Sequence, residues 1–127
     1  MGSVLHHVSL GSNDMTKALA FYDATMATLG LKRVLEFLPH AVAYGDDHPV
    51  FWIQTPHDAG KASTGNGMHI GFAATSKDQV EAFHAAAIAH GGRDDGAPGP
   101  RPDYGHSYYG AFVRDPDGNK IEACLHA

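Results

Sequence analysis

Val4-Leu5-His6-His7-Val8-Ser9-Leu10 and Met68-His69-Ile70-Gly71-Phe72-Ala73-Ala74 are short runs of one pattern, and their repetition decides the fold. In each, a histidine precedes alternating apolar positions, the mark of a strand with one buried face. A shift of 62 residues lays His7 on His69, Val8 on Ile70 and Leu10 on Phe72. Without any gap it also lays Asp14 on Ser76, Ala20 on Ala82, Phe21 on Phe83 and Gly30 on Gly92. A helix cap, an aromatic, a helix stop and a histidine in one register mark an internal repeat.

Outward from the first run, Asp14 caps a helix to about Leu29. Its Met15, Ala18, Leu19, Tyr22, Met26 and Leu29 recur at the three-and-four spacing of one buried side, and Gly30 ends it. Strands are expected at 32–38, 41–44 and 50–55, punctuated by Pro39, Gly45-Asp46-Asp47 and Pro56. The Gly-, Ala-, Ser- and Thr-rich stretch that follows Pro56 reads as a linker. After the second run, Ser76 with Gln79 forms a capping box for a helix ending at Gly91-Gly92. The Pro/Gly-rich residues 94–103 read as a flexible loop, followed by strands at 108–114 and 119–125. Asp115-Pro116-Asp117-Gly118 joins those strands as a tight turn. For the last strand the shift grows to 68, which lays Ile53-Gln54 on Ile121-Glu122.

The expected fold class is α+β: two paired βαβββ modules forming a curved, cup-shaped mixed sheet with helices on the outer face. At 127 residues and 43% hydrophobic content, the chain suits one domain over 1–127 and is short for two. The modules fall at about 4–56 and 67–127, with linker 57–66 between them.

Strand parity then selects the chemistry. With Val8, Leu10, Ile53, Ile70, Phe72 and Ile121 turned to the helices, His7, Gln54, His69 and Glu122 share the opposite face. A pseudo-twofold axis between the modules would make these four converge. Two imidazoles and one carboxylate on rigid strands suit a divalent metal ion (Zn, Ni, Mn or Fe(II)), with Gln54 as a weak fourth oxygen ligand. Trp52 shares parity with Gln54 and is expected to wall the pocket. Tyr104, His106, Tyr108 and Tyr109 follow a loop able to close over a substrate, and Arg101 is placed to neutralise an anionic one. His6 is expected to face the helix layer, His84 and His90 to be structural, and Cys124 to be packing near Glu122. No role is assigned to His40, His48, His57 and His126.

A net charge of -5 leaves no footprint for nucleic acid or for an anionic membrane, so a small-molecule substrate is expected. Cys124 is the single cysteine, and no basic region followed by a long apolar run opens the chain. A cytoplasmic location follows as an expectation.

His7-Val8-Ser9-Leu10, Phe21-Tyr22 with Leu29-Gly30-Leu31, Met68-His69-Ile70-Gly71 and the run Asp115 to Glu122, in this order and spacing, resemble the vicinal oxygen chelate superfamily. Glyoxalase I, extradiol dioxygenases, fosfomycin-resistance thiol transferases and bleomycin-resistance proteins belong to it, and the resemblance covers nearly the whole chain. It implies a metal-bearing cup with His7, His69 and Glu122 at the ligand positions. The chain departs from it at Gln54, where bacterial glyoxalase I-like members carry a glutamate. Glutamine keeps an oxygen ligand but cannot take up a proton as a carboxylate does. The expected activity is a metal-dependent glyoxalase-like lyase or isomerase on a substrate that chelates through adjacent oxygens, with Glu122 as ligand and catalytic base. An extradiol-type ring-cleaving dioxygenase and a metal-free drug-binding resistance protein are the rival readings. A homodimer is expected because open sheets leave edges to cover, with module pairing within a chain or across the dimer both open.

Overall fold

Residues 4–126 are described in the structure, a computed structural model. Helix α1 (Met15–Thr28) starts where Asp14 accepts the Lys17 N–H, and α2 (Lys77–Ala89) where Ser76 Oγ accepts that of Gln79. Gln79 Oε1 in return takes the N–H of Thr75, one residue before the cap, at 2.8 Å, a variant of the expected capping box. Both helices end alike. The Leu31 N–H reaches back to the Met26 carbonyl and that of Gly92 to Ala87, each over a glycine at positive φ: Gly30 at 78° and Gly91 at 97°. Gly91, not Gly92, is therefore the counterpart of Gly30, because α2 at 13 residues is one shorter than α1 at 14.

The strands of the first module are β1 (Val8–Gly11), β2 (Lys32–Phe37), β3 (Ala41–Gly45) and β4 (Pro49–Gln54), in sheet order β1-β4-β3-β2. Those of the second are β5 (Ile70–Ala73), β6 (Arg93–Pro100), β7 (Tyr108–Arg114) and β8 (Lys120–His126), in the matching order β5-β8-β7-β6. In each sheet the first strand lies parallel to the last and the others are antiparallel. The α+β architecture of two βαβββ modules is thus present, as two four-stranded mixed sheets rather than one continuous ladder.

Strand β6 departs from expectation. Arg-Asp-Asp-Gly-Ala-Pro-Gly-Pro lacks apolar alternation and reads as a loop, yet it pairs with β7 through two register shifts. It is tolerated because it is an edge strand, where a proline's missing N–H costs no ladder bond, and because bulges at its glycines absorb the irregularity. The flexible loop expected at 94–103 shrinks to the stretch between β6 and β7.

One apolar core serves both modules. Leu10, Phe21, Tyr22, Phe51 and Ile53 pack with Phe72, Phe83, Val113 and Ile121, and the Phe51 and Phe72 rings meet edge to face at 5.2 Å. Helix α1 packs on α2. Tyr22 donates a 2.6 Å hydrogen bond to buried Asp115, which also accepts the backbone N–H groups of Asp117 and Asn119 and so braces the β7–β8 turn. The modules are therefore joined through their helix layers. Among the described residues, no helix is long and apolar enough to cross a membrane.

Candidate metal centre

Residues of even number on β7 and β8 share the face away from α2, and their register stacks Tyr108 on His126, Gly110 on Cys124, Phe112 on Glu122 and Arg114 on Lys120. Glu122 is the unusual member, a carboxylate only 3% exposed. Glycines flank it on both neighbouring strands. A Cβ at Gly71 would stand 3.3 Å from Glu122 Oε1, and one at Gly110 3.0 Å from Oε2. These positions leave the carboxylate room that any larger residue would fill.

Two side chains engage Glu122. His69 Nε2 lies 3.3 Å from Oε1, and the Tyr108 hydroxyl donates to Oε2 at 2.6 Å. Ligands about 2.1 Å from a tetrahedral ion stand about 3.4 Å apart, so the His69 and Glu122 atoms are spaced as two ligands of one small divalent ion. Burial, with hydrogen bonding to Cys124 and Glu122, pushes the Tyr108 phenol well above its ordinary pKa. Burial likewise raises the Cys124 thiol. Tyr108 therefore serves as a hydrogen-bond donor to Glu122.

A strap covers this group. Past β6, Tyr104 stands edge-on to Tyr108 at 5.4 Å and to Phe112 at 6.4 Å. The Arg101 guanidinium lies 5.7 Å above the Phe112 ring while donating to the Ala97 and Gly99 carbonyls. His106 is exposed, with one long contact of 3.4 Å to Ser107. Tyr109 points the other way. Its hydroxyl donates to Glu81 on α2, and Lys77 caps its ring, so Tyr108 is the tyrosine that faces Glu122. The parity that selected Glu122 also selects Tyr108 and His126, whose rings are 5.7 Å apart.

The first module carries the remaining candidates. His7, Trp52 and Gln54 line one shallow pocket together with His6 and Ser9, and Trp52 stacks on Phe37 at 6.1 Å. His6 does not face the helix layer; its Nδ1 lies 2.8 Å from that of His7. Strand β1 begins only at Val8, so period-two alternation does not extend back to residue 6. Gln54 also borders a cavity of about 640 Å³ at the end of β4, with Ser12, His40, Thr55 and His57.

Of the two pairings left open by the sequence, the one within a single chain does not bring the two groups together. Among the described residues, His7 does not come together with His69 and Glu122 as donors to one ion. The helices, not the open faces, bring the modules together. Among the described residues, the one trio of potential donors in reach of each other is Asp46, Asp47 and His48, exposed on the β3–β4 turn. Ordinary turn hydrogen bonds account for it: Asp46 accepts the Asp47 N–H at 2.7 Å, and His48 Nδ1 lies 3.0 Å from Asp47.

Comparison with known proteins agrees with this geometry. The model of the Glyoxalase/Bleomycin resistance protein/Dioxygenase superfamily matches residues 4–123. A probable lactoylglutathione lyase of Vibrio parahaemolyticus is 31% identical over 125 residues, spanning 95% of this chain and 88% of that protein. The crystal structure of a glyoxalase/bleomycin resistance protein from Albidiferax ferrireducens superposes with a TM-score of 0.88 at 41% identity, covering 98% of this chain and all of that one. At 22% identity and a TM-score of 0.67, a lactoylglutathione lyase from Agrobacterium tumefaciens shares the fold over 98% of this chain and 94% of its own. With its repeated modules, its His69–Glu122 pair and these matches in agreement, the chain belongs to the glyoxalase/bleomycin resistance protein/dioxygenase superfamily.

Proposed function

We propose that the protein is a metal-dependent, glyoxalase-like lyase or isomerase acting on a small substrate that chelates a divalent ion through adjacent oxygens. The observation that carries this reading is the His69–Glu122 pair, spaced at 3.3 Å, with a half-exposed imidazole facing a buried carboxylate that two glycines give room. His69 and Glu122 would hold the ion from one module, and His7 with Gln54 from the other. When bound, such an ion supplies a Lewis acid for developing oxyanion charge. The protein's own residues do the rest. Tyr108 donates to Glu122 Oε2 and holds the carboxylate in place, and Glu122 is the group able to take a proton from carbon and return it. Tyr104 and Arg101 pack on Phe112 at the edge of the group, and Trp52 on Phe37 offers an aromatic wall. Gln54 cannot share the proton transfer, which leaves a single base.

The separation of the two groups within one chain supports a homodimer in which one copy contributes His7 and Gln54 and the other His69 and Glu122. The exposed apolar residues Leu35, Phe37 and Leu38 on and beside β2 favour the same reading, since a second copy would cover them.

The test is metal content of protein purified without chelator, with thermal melting in Ni, Zn, Mn or Fe(II) and turnover of lactoylglutathione. A melting shift with at least one ion is expected in the wild type and not in His69→Ala. Absence of both metal and shift overturns the reading. The Phe37–Trp52 stack favours one second reading, a metal-free binder of planar drugs, which the absence of metal together with drug binding would establish.

A further inference from the structure

A cavity of about 360 Å³ opens beside His69, between the 64–67 turn and the side chains of Arg114 and Lys120. Those two cations are neighbours across β7 and β8, next along the ladder from Phe112 and Glu122. Asp95 is the one carboxylate paired with either, 2.9 Å from Arg114 Nε and 3.8 Å from Lys120 Nζ. Lys120 and Arg101 both lie over the Phe112 ring, at 4.9 and 5.7 Å, and Arg101 donates to backbone carbonyls rather than to any acid. Arg114 and Lys120 thus share Asp95 as their one paired carboxylate among the described residues, in a chain of net charge -5, with Glu122 the next acid along the ladder. Such a local reversal of sign concentrates anions at the site. The turn adds donors: among the described residues, no acceptor in the chain takes the Asn66 or Gly67 N–H, and Gly67 has a φ of 91°.

Arg114 is partly committed to structure, since it also donates to the Gly118 carbonyl that ends the β7–β8 turn. Lys120 is not, having only a long contact to Asp95 and an aromatic face. We propose that this cavity is an anion subsite, with Lys120 its principal contact, for a carboxylate or phosphate carried by the substrate whose chelating oxygens lie at His69 and Glu122. The substrate of the function proposed above, on which this assignment of the anion to a substrate rests, is then a small oxygen-chelating acid.

The experiment is an NMR titration of the full-length, metal-free protein with inorganic phosphate and, separately, with malonate. Saturable shifts confined to residues 64–69, 114 and 120 are expected for at least one anion. Lys120→Gln should raise the apparent Kd about two- to fivefold and Lys120→Arg less than about twofold, since a partly exposed charge contact contributes up to about 1 kcal/mol. Tighter phosphate identifies a phosphate ester, tighter malonate a carboxylic acid, and either ordering supports the subsite. No saturable shift with either anion, or an unchanged Kd in Lys120→Gln, overturns it. Because the titration needs no ion, failure of metal uptake leaves its result standing. His69→Ala should abolish metal uptake while moving the phosphate Kd less than Lys120→Gln does.

Discussion

Glu122 shows how much one buried carboxylate constrains its neighbours. Its Oε2 is satisfied by Tyr108, and the glycines at 71 and 110 give it room. Tyr108→Phe should cost about 1–2 kcal/mol in urea unfolding, because it strands a buried charged acceptor. Combining it with Glu122→Gln should recover part of that loss, and strict additivity of the two substitutions would contradict the pairing. At this scale the sequence is legible wherever period-two alternation runs through a regular strand. Glu122 and Cys124 were placed by parity, and the same rule separates Tyr108 from Tyr109 once β7 is known to start at residue 108. His6 was misplaced because the strand had not yet begun.

Among the elements, Gly30 and Gly92 coincide under the 62-residue shift and differ in physics. Gly30 and Gly91 supply positive φ, and a Cβ at Gly30 would meet nothing within 4 Å. Gly92 instead permits close packing, since a Cβ there would stand 2.6 Å from the Phe21 ring and 2.8 Å from the Arg114 carbonyl. Gly30→Ala is therefore expected to cost about 1 kcal/mol, the left-handed penalty alone. Gly92→Ala should cost about 3 kcal/mol, since backbone on both sides cannot yield. Thermal unfolding of the pair checks the order, and equal losses would refute it. Capping signals made both helices readable from sequence. β6 was not, because an edge strand with prolines and bulges has its pairing dictated by β7 rather than by its own residue preferences.

For the whole molecule, the decisive question is which open faces meet. If sites form between copies, mixing His7→Ala with Glu122→Ala protein under conditions that exchange subunits should restore metal binding to roughly a quarter of the wild-type level, since half of randomly formed dimers then hold one intact site of two. Sites formed within a chain would give no recovery, and sedimentation of the wild type reads the oligomer independently.

The sequence by itself determined the repeat, the helix caps and the strand faces, because each depends on local periodicity carried twice at nearly constant offset, and its ordered motifs carried the resemblance to the family. Only the tertiary structure decided that the modules share one core through α1 and α2, leaving His7 and Gln54 apart from His69 and Glu122 within a chain. It alone revealed the cations gathered around Phe112. Alternation tells which way a side chain points from its own sheet. Which sheet faces which is settled by long-range burial of helix surfaces, and no local pattern encodes that choice.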